Sequence, residues 1–263
     1  MTNERTHWNA EVYDRIGTPM RGWAQAVIDD LGLRGDETVL DAGCGSGSVT
    51  FDLLVKLPHG HIHAVDSSPE MIEKLTRSLE ERGETRVTPL RGDLTDFALP
   101  EQVDVVFSNA VFHWIPDDEG LFGCLLRATK PGGRLRAQCG GGHNLARLME
   151  TTHAVEGRPP YSEYLSGDSE FRKYRSKQEA EEAMTDAGWA EARADVWESP
   201  VVFEREDDAV LYLRTIILQH QARALPGEVG DAFLRDVVRE TVRRHGEPFV
   251  ADYVRLELWA SAL

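Results

Sequence analysis

The residues best suited to chemistry in this chain stand in one run, VLDAGCGSGSVT, where Asp41 is followed by Gly43, Gly45 and Gly47. Val39 and Leu40 read as the end of a buried strand. From Ser48 the apolar residues Val49, Leu53, Leu54 and Leu57 take up helical spacing. Strand, glycine turn and helix open a βαβ unit, and such a unit holds a ligand at its turn. Glycine permits close approach of backbone to ligand and tolerates positive φ. The helix that follows offers its free N–H groups and the positive end of its dipole. Asp66 lies nineteen residues beyond Gly47, and an acid at the tip of the second strand can accept hydrogen bonds from both hydroxyls of a ribose. The chemistry expected at this turn is recognition of a nucleoside.

Further candidates follow along the chain. Asp93 and Leu94 come after a third apolar run, and Ser108 and Asn109 close a fourth; the carboxyl ends of strands are where α/β sheets hold their chemistry. Phe112, His113 and Trp114 come next. His113 is the candidate general base, because an imidazole titrates near neutrality. His59, His61 and His63 alternate, but no further ligand cluster follows at a metal-site spacing, so no metal is expected.

The elements that must position these residues can be read from pattern. Residues 8 to 31 are helical, broken near Gly17-Thr18-Pro19, with an aromatic load of Trp8, Tyr13 and Trp23. His61 to Val65 is the second strand and ends at Asp66; Pro69 opens the next helix. Val103 to Phe107 is nearly all apolar, as a parallel strand covered on both faces requires. A helix from Asp118 to Lys130, a turn at Lys130-Pro131-Gly132-Gly133 and a fifth strand from Leu135 to Cys139 follow. Gly140 to Arg158 reads as a flexible loop. YRSKQEAEEAMTDAGWAEARADVWE reads as helix, glycine stop and strand, DAVLYLRTIILQHQARALP as helical, and FVADYVRLELWASAL as the last strand.

At 263 residues with 41% hydrophobic residues the chain can bury a sizeable core. Its net charge of −16 argues against binding a phosphate backbone, so nucleic acid is not an expected partner. Cys44, Cys124 and Cys139 are too few and scattered for a disulfide framework. A polar N-terminus and the lack of any stretch of membrane-spanning length complete the expectation of a cytoplasmic protein with no membrane association.

In the dinucleotide fingerprint the third glycine falls three residues after the second, whereas Gly47 follows Gly45 by two and Asp41 precedes the set. The form D-x-G-x-G-x-G resembles the first motif of the class I S-adenosylmethionine-dependent methyltransferases. The lead segment, the SNAVFHW stretch and the KPGG turn are most similar to the trans-aconitate methyltransferase group, over roughly residues 8 to 145. The resemblance implies a Rossmann-like α/β fold: a seven-stranded, mostly parallel sheet with helices on both faces, an antiparallel last strand and helical lid insertions. It implies a single methyltransferase domain over 1–263, with an N-terminal lid segment (1–35), a cofactor-binding core (36–142) and substrate-lid insertions (143–175 and 200–248). By the same resemblance, S-adenosylmethionine is the cofactor and Gly43, Gly45, Asp66, Ser67, Asp93, Leu94 and Asn109 contact it. Met71 and Leu94 wall the adenine, and Trp8 and Tyr13 close over the methionine end.

Trp114, His143 and Arg255 are the candidate residues for the acceptor, an arginine being suited to a carboxylate or diphosphate; Arg172, Tyr174, Arg214 and His220 lie in neighbouring segments. The expected activity is methyl transfer to a small molecule, at oxygen of a carboxylate or hydroxyl. Glu257 beside Arg255 departs from the more basic surface expected for trans-aconitate, so an acceptor of specialised biosynthesis stays open. The rivals are C- or N-methylation on the same fold, for instance of an alkene or prenyl substrate, then a nicotinamide-dependent oxidoreductase, then a non-catalytic cofactor-binding protein.

Overall fold

The computed structural model describes residues 21–165 and 172–263. They divide into two compact units, one made of 21–142, 172–197 and 255–263, the other of 143–165 and 198–254.

The first unit is built on seven strands: β1 (Thr38–Ala42), β2 (His61–Asp66), β3 (Val87–Arg91), β4 (Val103–Asn109), β5 (Thr129–Gly140), β6 (Ala190–Glu198) and, last in the chain, β9 (Val254–Ser261). Their order across the sheet is β3-β2-β1-β4-β5-β9-β6. β3, β2, β1, β4 and β5 pair in parallel, and β9 runs antiparallel to β5, as expected for the last strand. Strand residues alternate between two cores. Val39, Ile62, Ala64, Val105 and Phe107 pack in one with apolar residues of α1 (helical over 21–30), α2 (Ser48–Val55) and α3 (Pro69–Arg82). Leu40, Ala42, Val65, Val106 and Ala137 pack in the other with α4 (Asp118–Arg127) and α6 (Lys177–Asp186). This period of two is what buries both faces of a central parallel strand. The order of strands reverses between β1 and β4, and a crevice opens at such a switch point outside their carboxyl ends.

Two elements of this unit differ from the sequence reading. The helix expected to reach Lys130 stops at Arg127, and Lys130–Gly133 stays inside β5 as a bulge, since Val103 pairs with Thr129 but Val105 with Arg134. Gly132 there has φ of 77°, which lets the strand fold out and rejoin.

The second unit contains α5 (Ala146–Glu156), α7 (Glu206–Tyr212), α8 (Gln219–Ala224), α9 (Gly227–His245) and the antiparallel pair β7 (Val201–Phe203) and β8 (Phe249–Ala251). α5 lies within the stretch expected to be a loop. Leu148, Thr151, Thr152 and Val155 form its buried side, and the Asp252 carboxylate accepts from Arg147 N–H at 2.9 Å and Leu148 N–H at 3.2 Å. A remote acid thus caps a helix whose own first residues contain no capping side chain. Among the described residues no helix is long and apolar enough to cross a membrane.

Candidate cofactor and acceptor site

The glycine turn is fixed from both neighbouring strands. Gly43 and Cys44 N–H donate to Val65 O at 2.8 and 3.0 Å, and Ser108 Oγ on β4 donates to Ala42 O at 2.7 Å. Gly43 has φ of 86°, and a Cβ on it would stand 2.3 Å from Val111 Cγ2, so glycine is required twice over. Asp41 turns inward, where its Oδ2 accepts from the Thr50 hydroxyl at 2.6 Å. Burial, with Asp66 nearby, pushes the Asp41 carboxyl up to about 6. Burial likewise pushes the Cys44 thiol up, so it stays protonated and unreactive.

Asp66 is the hinge of the site. Its Oδ2 accepts from Gly45 N–H at 2.9 Å and its Oδ1 from Ser68 N–H at 2.9 Å. Ser68 in turn caps α3, its Oγ accepting from Met71 N–H at 3.3 Å. Each carboxylate oxygen has room for a second donor. Gly43, Asp66, Ser67, Asp93, Leu94, Val111 and Trp114 line one cavity of about 550 Å³. Asp93 Oδ1 accepts from the N–H and hydroxyl of Thr95 at 2.9 and 2.8 Å, which closes a turn and holds the carboxyl below its ordinary range. Its Oδ2 takes no bond from the described residues.

The predicted residues do not all share this cavity. Gly45, Met71, Asn109 and His113 are not among its lining residues, whereas Ala110 and Val111, between Asn109 and His113 in the chain, are. Trp8 and Tyr13 fall outside the described residues. His143 belongs to the second unit, where it is exposed and stands 3.7 Å from Glu198. Trp114 is half-exposed under the Arg172 guanidinium, 4.8 Å from its ring centre.

His113, the expected general base, lies in a buried and hydrogen-bonded setting. It sits in the single helical turn Phe112–Trp114 and is 8% exposed. Its Nδ1 accepts from Gly140 N–H at 3.3 Å, which puts the ring proton on Nε2. Burial, reinforced by Arg255, Arg172 and Arg175, lowers its pKa to about 3. The imidazole is therefore neutral, with one nitrogen engaged and the other already protonated.

Three residues that sequence reasoning passed over organise this edge. Arg175 is fully buried; it donates to Phe112 O at 2.8 Å, to Ile115 O at 2.7 Å and to the Asp118 carboxylate, clamping the loop that carries His113 and Trp114. Gln138 holds Arg255, whose Nε donates to Gln138 Oε1 at 3.0 Å while its Cζ lies 4.4 Å from the centre of the Trp23 ring. Val111 fills the space that Gly43 leaves. No local pattern marks them, since every partner is distant in sequence. Among the described residues no three His, Cys, Asp or Glu side chains could hold a metal; His61 bonds Thr88 instead, at 2.8 Å.

A parallel sheet with a glycine turn at its switch point, and acids at the ends of β2 and just after β3, defines a nucleoside-cofactor protein. The open lone pairs on Asp66, the free oxygen of Asp93 and the buried, unpartnered Oδ1 of Asn109 fit a ribose, an adenine amino group and a further polar end. Residues 39–133 match a family model described as a methyltransferase domain. The trans-aconitate 2-methyltransferase of Mycobacterium tuberculosis (strain ATCC 25177 / H37Ra) is 31% identical over 195 residues, 73% of this chain and 70% of the relative. A malonyl-[acyl-carrier protein] O-methyltransferase of Priestia megaterium is 28% identical over 70% of this chain and 68% of its own. The solved structure of Haemonchus contortus phosphoethanolamine N-methyltransferase 2 with S-adenosyl-L-methionine shares the fold, with a TM-score of 0.62, 18% identity and coverage of 95% of this chain and 56% of that one. The chain belongs to the class I S-adenosylmethionine-dependent methyltransferases, and it is similar within them to the trans-aconitate 2-methyltransferases. Its cofactor is S-adenosylmethionine and its acceptor a small molecule.

Proposed function

We propose that the protein methylates a carboxylate oxygen of a small organic acid. S-adenosylmethionine supplies a methyl group already activated for displacement, which leaves the chain to align, to exclude water and to admit an acceptor in its reactive ionisation state. The observation that carries the reading is the state of His113. With Nδ1 occupied by Gly140 N–H and Nε2 protonated, it offers no base to an alcohol or amine. A carboxylate needs none, being ionised at neutral pH. In this reading Asp66 and Ser67 hold the ribose, Asp93 and Leu94 the adenine, and Trp114 and Arg255 serve the acceptor, with His113 Nε2–H as a hydrogen-bond donor. Similarity to a trans-aconitate 2-methyltransferase and to a malonyl-[acyl-carrier protein] O-methyltransferase supports the same class of acceptor.

The test is product chemistry. The enzyme is incubated with methyl-labelled S-adenosylmethionine and a panel of di- and tricarboxylic acids, and the product is treated with mild alkali. Volatile labelled methanol is expected, as from a methyl ester; label retained in alkali-stable product overturns the carboxylate reading in favour of ether, nitrogen or carbon methylation.

A further inference from the structure

At the carboxyl edge of the sheet the half-buried Asn109 and the buried Gln138 each hold a buried side-chain atom, Asn109 Oδ1 and Gln138 Nε2, with no hydrogen-bond partner among the described residues. Gln138 is 1% exposed. The two are register partners on the parallel strands β4 and β5, so their side chains leave the sheet on the same face, about 5 Å apart from strand to strand. A buried polar atom left unpaired is costly, and the two atoms on these register partners are complementary, one acceptor and one donor.

The amide of Gln138 is not free to turn over. Its Oε1 accepts from both Nε and Nη2 of Arg255, itself buried, and a guanidinium can only donate. Nε2 is therefore directed away from Arg255, and the bonded cation polarises the amide into a stronger donor.

We propose that Gln138 is a carboxylate-recognition residue, oriented by Arg255, whose Nε2 donates to a carboxylate of the bound ligand beside the open acceptor of Asn109. A bare donor next to a bare acceptor matches an α-amino-acid group, carboxylate on Gln138 and ammonium on Asn109. Two ligands of this enzyme carry the required carboxylate: the amino-acid end of the cofactor, and the acid acceptor, which alone rests on the function proposed above. The pairing with Asn109 favours the first.

Gln138→Glu tests this, because it preserves an acceptor for both Arg255 bonds while replacing the N–H donor with a second acceptor. Binding is measured by calorimetry for S-adenosylhomocysteine and for 5′-methylthioadenosine, which lacks the amino-acid end and reports on the integrity of the remaining site. The expected result is a loss of about tenfold or more in S-adenosylhomocysteine affinity with 5′-methylthioadenosine binding unchanged. Unchanged S-adenosylhomocysteine affinity, with trans-aconitate binding to the S-adenosylhomocysteine-saturated protein weakened by a similar factor, assigns Gln138 to the acceptor's carboxylate instead. Any other pattern, including equal loss for both nucleosides, overturns the proposal. The nucleoside arm needs no acceptor, so its outcome stands whether or not the methylated product is an ester.

Discussion

At the scale of single residues, the site depends on groups whose bonds are already half made. Asp66 spends one lone pair per oxygen on Gly45 and Ser68 N–H, and in the function proposed above it offers the others to the nucleoside. Asp66→Asn removes an acceptor from that set, and we expect S-adenosylhomocysteine affinity to fall by about tenfold or more in calorimetry; unchanged affinity would remove Asp66 from the site. Gly43→Ala meets both a strained φ and the Val111 methyls. A destabilisation of about 1–3 kcal/mol is expected in denaturant titration, and Val111→Ala in the same chain should restore only the steric share. The glycines and the acids at strand tips were legible because their meaning is local, a turn and a strand end within a few residues. Gln138, Arg175 and the neutral state of His113 were not, because each is set by partners brought together only by the fold: Arg255 with Gln138, Asp118 with Arg175, Gly140 with His113.

At the scale of elements, alternation and helical spacing located the strands and most helices, and the errors have identifiable causes. The KPGG stretch reads as a turn, but pairing with β4 on both sides of it keeps it inside β5. The glycines at 140–142 and the Gly157-Arg158-Pro159-Pro160 stretch that follows hid α5, whose cap is supplied by Asp252 more than a hundred residues later. Asp252→Ala leaves the Arg147 and Leu148 N–H groups without that acceptor, and a loss of about 1–2 kcal/mol is expected in thermal or denaturant unfolding; no loss would show that Asp252 adds nothing to α5. Arg175→Met should cost more, about 2–4 kcal/mol, since it leaves the Phe112 and Ile115 carbonyls without their buried donor while Asp118 keeps only Lys173 among the described residues.

At the scale of the whole molecule, buried titratable groups tie stability to pH. His113 is held to about 3, and His63, buried beside His61, is also lowered. Below about pH 6.5 the unfolded chain takes up protons that the folded one does not, so each histidine's contribution is complete above that pH and is lost as pH falls, by up to about 1.4 kcal/mol per pH unit. Asp41, raised to about 6, works in the opposite sense: its contribution is complete below its ordinary range and is lost as pH rises through 6. His113 and Asp41 oppose each other below pH 6, so unfolding free energy should decline between pH 7 and pH 6, where His113 acts before Asp41, and His113→Gln should flatten that decline; a gain of stability on acidification over this interval would contradict the assignment. Transfer to a carboxylate oxygen is decided by an acid acceptor whose carboxyl oxygens carry the heavy isotope. After reaction with S-adenosylmethionine and alkaline cleavage, the released methanol is weighed by mass spectrometry. Methanol carrying heavy oxygen is the predicted result, because the ester oxygen attached to the methyl group comes from the acceptor's carboxylate; methylated product that releases no methanol would contradict it.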